Sequence, residues 1–245
     1  RRQRQMCIRD RYNEKHNLYD RLCGVNDYTK GYLDAIMKVQ RSIYGYFFLE
    51  DMLKGDVLDE MMRVCPVKPN EDGVETVQYV YANYFLARRM ATDERTDILS
   101  RVGRELGREN KINLYTPDAS VRFINVNNKG TVDYYNEMPY VFRNSRINLN
   151  ITLRSIKSGI PLRCMDICGA GGFLLSNYQA DLYDVFVPGE DMVIYDSIDD
   201  LMNKCKYYLS HDAERRQIAQ NGFGKIEEKH TYDVRFEEIF NRVFN

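Results

Sequence analysis

The residues from Leu153 to Asp166 (LRSIKSGIPLRCMD) carry the side chains in this sequence best suited to hold a phosphate. Arg154 and Lys157 place two cations among the small residues Ser155, Ser158 and Gly159. Glycine at 159 lets the main chain approach a ligand closely. A short helix is predicted from about Arg163, so its free N–H groups and positive dipole end favour an anion. Arg163 can offer a planar, two-pronged contact to a diphosphate. Asp166 follows three residues later and shares its helix face. A carboxylate there can accept hydrogen bonds from ribose hydroxyls. The same spacing also fits an exposed i,i+3 ion pair worth a few tenths of a kcal/mol, with Ser155, Lys157 and Ser158 as ordinary loop residues.

Other chemistries find less support. His16, His211 and His230 lie far apart and share no metal-ligand spacing. Cys164 and Cys168 sit one helical turn apart with no second pair, which reads as two core thiols. There is no G-x-S-x-G elbow and no Walker A motif. The glycines of Gly169–Gly172 come at the end of the short helix, so they fail as a dinucleotide fingerprint.

For the bend to bind a phosphate it must follow a strand of an open parallel sheet, because ligands bind beyond the carboxyl ends of such strands. The elements around it have that order. Ile147, Leu149, Ile151 and Leu153 alternate with Asn148, Asn150, Thr152 and Arg154, which predicts a strand. Further strands are expected over 112–115, 121–126, 173–175 and 192–195. Helices are expected over 132–144 (interrupted or kinked near Pro139), 163–170, 198–209, 210–229 and 231–244, with Ser197 as a cap. Residues 12–106 read instead as mainly helical. Apolar positions at Tyr32, Ala35, Ile36, Val39 and Ile43 mark one helix, and a second stops at Cys65-Pro66. A third covers 74–89, and Thr92-Asp93-Glu94 is expected to open a fourth.

Composition sets the limits. Of 245 residues, 35 are Lys or Arg and 36 are Asp or Glu, so no net charge draws the chain to nucleic acid or to a membrane. No apolar run approaches the length of a membrane span. No secretory signal is visible, and six scattered cysteines in a chain of this length read as reduced thiols of a cytoplasmic protein. The first eleven residues, RRQRQMCIRDR, hold five arginines and no period. They are expected to be a non-native tail outside the fold, the alternative being a basic disordered tail.

The stretch VDYYNEMPYVFRNSRINLNITLRSIKSGIPLRCMDICGAGGFLLSNYQADLYDVFVPGEDMVIYDS, with the later NGFGKIEEKHTYDVRFEEI, resembles the C-terminal domain of the CgeB-like spore maturation proteins. That group is similar to group 1 glycosyltransferases of GT-B architecture. The resemblance implies a Rossmann-like parallel sheet flanked by helices over 107–245, with the helical 12–106 as a remnant of an N-terminal part. It implies a nucleotide-diphosphate sugar as donor substrate, an unknown glycan or protein acceptor, and no cofactor or metal. The implied donor-binding residues are Arg154, Ser158, Gly159, Arg163, Asp166 and Gly171. Asp166 falls where retaining GT-B enzymes carry the second of two acids. Ser158 stands where the first would be, and that acid contacts the donor sugar. A complete acceptor-binding domain is not visible, so the chain is expected to be truncated. The alternative is a non-catalytic nucleotide-sugar-binding or surface-layer protein.

Overall fold

A computed structural model describes residues 5–9, 18–70 and 73–244. The chain divides into two units. One comprises Arg1–Arg11, Leu99–Ile151 and Gly159–Asn245; the other comprises Tyr12–Ile98 and Thr152–Ser158.

The first unit is built on six parallel strands: β1 (Gln5–Arg9), β2 (Lys111–Tyr115), β3 (Val126–Asn128), β4 (Ile147–Asn150), β5 (Leu174–Asn177) and β6 (Val193–Tyr195). Their order is β3-β2-β1-β4-β5-β6. Helices of this unit are α6 (Met138–Asn144), α7 (Leu162–Gly169), α8 (Leu182–Val185), α9 (Ile198–Ser210), α10 (Asp212–Lys229) and α11 (Tyr232–Phe244). The expected Rossmann-like sheet flanked by helices is the observed architecture. Cys7, Leu174 and Ile194 on one face pack with Cys164, Ile167, Cys168 and Ile226 of α7 and α10. Met6, Ile8, Ile147, Leu149 and Leu175 on the other face are equally buried. Parallel strands covered on both faces therefore read as apolar runs, without a dry and a wet side.

That explains the main correction. Gln5–Arg9, expected to lie outside the fold, forms a central strand between β2 and β4. Its Met-Cys-Ile centre is buried on both sides. Three apolar residues between polar neighbours are too few to show a period.

The second unit contains a 3-10 turn (Leu18–Leu22), α1 (Asp27–Arg41), α2 (Leu49–Met52), α3 (Gly55–Val64) and α4 (Val77–Val80). Its core gathers Leu33, Leu49, Leu53, Met61, Tyr81, Phe85 and Met90. Asn26 caps α1 by accepting from the Thr29 N–H at 2.8 Å, and Thr76 caps α4. After α4 the helix continues through a π segment, Tyr81–Leu86, into α5 (Ala87–Leu106). The division between units falls inside α5. Thr92-Asp93-Glu94 thus opens no new helix. The Thr92 hydroxyl donates back to the Arg88 carbonyl at 3.1 Å, the use such residues find in a helix interior. Two other expectations shift. Of the helix expected over 132–144 only Met138–Asn144 is helical: Pro139 interrupts the pattern by standing in the first turn of α6, and no kink forms. The strand expected over 121–126 stands instead at Val126–Asn128, sharing only Val126 with that range.

Candidate functional site

In the order β3-β2-β1-β4-β5-β6 the sheet reverses its direction of growth between β1 and β4, and such a switch point opens a crevice at the carboxyl ends of the two strands. β4 ends there at Asn150, and α7 returns from that edge.

Asn150 is 1% exposed and organises the edge. Its amide nitrogen donates to Ser176 Oγ at 2.9 Å and its side-chain oxygen accepts from Arg163 Nη1 at 3.2 Å. The Tyr195 hydroxyl donates to its main-chain carbonyl at 3.4 Å. Arg163 is therefore moored by one nitrogen to the last residue of a central strand, in the first turn of α7. Pro161 precedes that turn, and no side chain among the described residues caps it. The Cys164 N–H turns to the Pro161 carbonyl at 2.8 Å, and the N–H groups of Leu162 and Arg163 before it have no helical partner, the kind of group that suits an anion.

Asp166, half-buried, accepts a hydrogen bond from the Tyr134 hydroxyl at 2.5 Å. Among the described residues no ion pair joins Arg163 to Asp166, so the competing use of their spacing is not the one adopted. Gly159 is exposed at φ 91°, a left-handed conformation that favours glycine, and its N–H donates to Asp181 Oδ2 at 2.5 Å.

Gly159, Arg163 and Asp166 are thus brought to one edge of the sheet unit. Arg154 and Ser158 belong to the helical unit. Arg154 is committed there: its side chain is 5% exposed, it pairs with Glu94 at 2.5 Å, and its guanidinium lies 3.2 Å from the centre of the Tyr44 ring. Lys157 pairs with Glu50 at 2.9 Å, and Ser158 is exposed. Gly171 lies beyond the opposite end of α7, at the amino edge of the sheet. Its distance from Arg163 is roughly 12 Å, given the rise of the intervening helix. Asn150, Tyr134 and Asp181 carry no motif and were not expected. The one available signal was the pair of asparagines, Asn148 and Asn150, in a strand between buried neighbours.

The thiols near the site are inert. Burial pushes Cys164 up to about 12 and raises Cys168 well above the usual thiol range; Cys205 on α9 rises to about 12 for the same reason. The folded form therefore gains from these neutral thiols below the unfolded thiol value near 9, and loses that gain as pH rises toward 12. Dithionitrobenzoate at pH 8 is expected to label exposed Cys23 at once and these three cysteines only on denaturation; rapid native labelling of Cys164 would contradict the burial. Among the described residues no group of three His, Cys, Asp or Glu is placed to hold a metal ion, and no helix is long and apolar enough to cross a membrane.

The family model described as glycosyl transferase-like matches residues 88–241. Three solved structures are similar. TarM is 14% identical, with a TM-score of 0.49, 61% of this chain covered and 31% of that one. Sucrose-phosphate synthase from Thermosynechococcus elongatus is 10% identical, with a TM-score of 0.46, covering 99% of this chain and 46% of that one. The C-terminal domain of LpcC, a glycosyl transferase group 1 family protein from Francisella tularensis, is 13% identical, with a TM-score of 0.39, covering 94% and 87%. The chain thus spans less than half the length of TarM and of the synthase. No curated protein matches it in sequence.

Proposed function

Since the chain belongs to the glycosyl transferase-like family, we propose that it carries the donor-binding half of a GT-B glycosyltransferase, moving a sugar from a nucleotide-diphosphate donor to a glycan or protein acceptor. The observation that carries this reading is the start of α7, which no side chain among the described residues caps, with Arg163 moored at the sheet's switch point. A diphosphate there meets N–H groups, the positive helix end and one guanidinium. Asp166 faces the ribose, its second oxygen remaining available beside the Tyr134 bond. In the transfer an acceptor oxygen attacks the sugar's anomeric carbon, the carbon–oxygen bond to the diphosphate breaks, and the nucleoside diphosphate leaves. Charge builds on the leaving diphosphate, and fixed donors aimed at it lower the barrier. The acceptor's proton goes to a base outside the residues named here. Within the family we assign the chain to the CgeB-like group, acting on spore or envelope surface glycans from the cytoplasm.

A second reading, binding without turnover, is favoured by Ser158 standing where retaining enzymes carry an acid. One experiment separates the two. Melting temperature is measured with UDP, GDP and ADP and their sugars, for the wild type and Arg163→Ala. One nucleoside diphosphate should raise it by mass action. Arg163→Ala should weaken that ligand about tenfold or more, the scale of a charge-assisted hydrogen bond. Asp166→Asn should weaken it with little change in unliganded stability. Ligand binding without donor hydrolysis or transfer selects the second reading, and no shift with any nucleotide rejects both.

A further inference from the structure

A second cation-lined cleft lies at the opposite edge of the sheet. Its volume is about 960 Å³, and it is lined by Lys111, Arg143, Arg146, Arg215 and Arg216 with Asp212 as the one acid. Lys111 opens β2 and Arg146 immediately precedes β4, so this is the amino edge, separated from Arg163 by the length of α7. We propose that this cleft binds a small ligand carrying two or more phosphate groups, independently of the donor edge.

Charge is the first argument. Asp212 already accepts from Arg215 at 2.5 Å and pairs with Arg216 at 2.8 Å and Arg146 at 3.9 Å. One carboxylate cannot balance five cations, so four positive charges are left over a single opening. Such a concentration of like charge opposes folding unless an anion offsets it. The second argument is construction. Arg215 is 7% exposed and held by the Arg146 carbonyl at 3.0 Å, so its fork is fixed before any ligand arrives. Its buried Nε has no hydrogen-bond partner among the described residues. The eighteen-residue α10 starts at Asp212 with no side-chain cap, adding orphan N–H groups and a positive dipole end. Gly171, at φ 75° with open space where a Cβ would stand, lets the main chain reach the ligand. Third is size and surface. The volume suits a small molecule rather than a long polymer. Phe223, 38% exposed in the lining, offers a flat apolar side to the ligand's carbon skeleton. Planar guanidinium forks match phosphate oxygens in pairs.

The test is calorimetric titration of the full chain with inorganic tripolyphosphate. Arg163→Ala should lose only the donor-edge contribution and keep a tripolyphosphate site of wild-type affinity. Arg143→Glu combined with Arg216→Glu, both exposed positions, should weaken binding about tenfold or more per lost contact. The milder Arg143→Gln with Arg216→Gln should lose less, with a urea midpoint no lower than that of the wild type. The proposal is overturned if tripolyphosphate does not bind, if Arg163→Ala alone abolishes binding, or if both charge variants bind like the wild type. A single-stranded DNA dodecamer that binds where tripolyphosphate does not would also overturn it, by showing a nucleic-acid surface.

Discussion

Glu94→Ala should destabilise the protein by about 3–5 kcal/mol, the cost of leaving a buried charge without its partner. Glu94 is 2% exposed, and both its oxygens face Arg154, at 2.5 Å to Nη2 and 3.3 Å to Nε. The guanidinium also donates to the carbonyls of Ile43 at 3.3 Å and Arg41 at 3.2 Å and lies over the Tyr44 ring. The carbonyls and the ring cannot neutralise it once the carboxylate is gone. The pair itself need not be worth that much, because desolvation offsets most of its attraction. The companion variant Glu94→Leu with Arg154→Met should therefore recover most of the loss. Urea denaturation of the three proteins reads this directly. A single variant within 1 kcal/mol of wild type would mean that water reaches the guanidinium.

This pair also shows what the sequence hides. Its members lie 60 residues apart, and nothing at either position announces the other. Arg154 was assigned to a phosphate because it stands in a basic bend; the structure uses it as the keystone of the helical unit. Local patterns were legible where one helix face is apolar: α1, α3, α7, α9 and α11 stand close to where their periodicity puts them. Ends were less so. Thr92-Asp93-Glu94 has the composition of an N-cap, yet capping needs an extended backbone and here the helix simply continues.

The asparagines of β4 mark a deeper limit. Asn148 and Asn150 were read as the polar side of an alternating strand. Both are 1% exposed. Asn148 donates to the carbonyls of Phe142 at 2.9 Å and Phe173 at 3.2 Å, tying the end of α6 to the start of β5. Alternation thus signalled a strand correctly but gave the wrong environment. The bend proposed here to hold a phosphate is visible in the sequence as residue types, and the structure puts Arg163 and Asp166 on α7 beside the end of β4. Its placement at a switch point was not visible, because the switch requires β1, and β1 reads as a charged tail.

Gly222→Val should destabilise by about 2–3 kcal/mol, toward the upper end for forcing methyl groups into a packed site. Gly222 sits on the buried face of α10, where a Cβ would stand 2.5 Å from the Asp191 carbonyl oxygen and 3.4 Å from Cys168 Sγ. The oxygen is main chain in a turn that α10 itself grips. Asn221 donates to the Glu190 carbonyl at 2.7 Å, and Lys225 pairs with Asp191. The turn therefore has nowhere to retreat. Even Gly222→Ala, which would gain about 1 kcal/mol of helix propensity on a free surface, should lose stability here. Cys168 belongs to α7, so pushing α10 outward loosens the helix that carries Arg163 and Asp166. Gly222→Val should accordingly weaken nucleoside diphosphate binding without touching a ligand atom, whereas Gly224→Ala, two residues on with open space at its Cβ, should leave that affinity unchanged. A Gly222→Ala protein more stable than wild type in urea would show that α10 is not clamped against the 187–191 turn, and that α7 depends on its own contacts with the sheet.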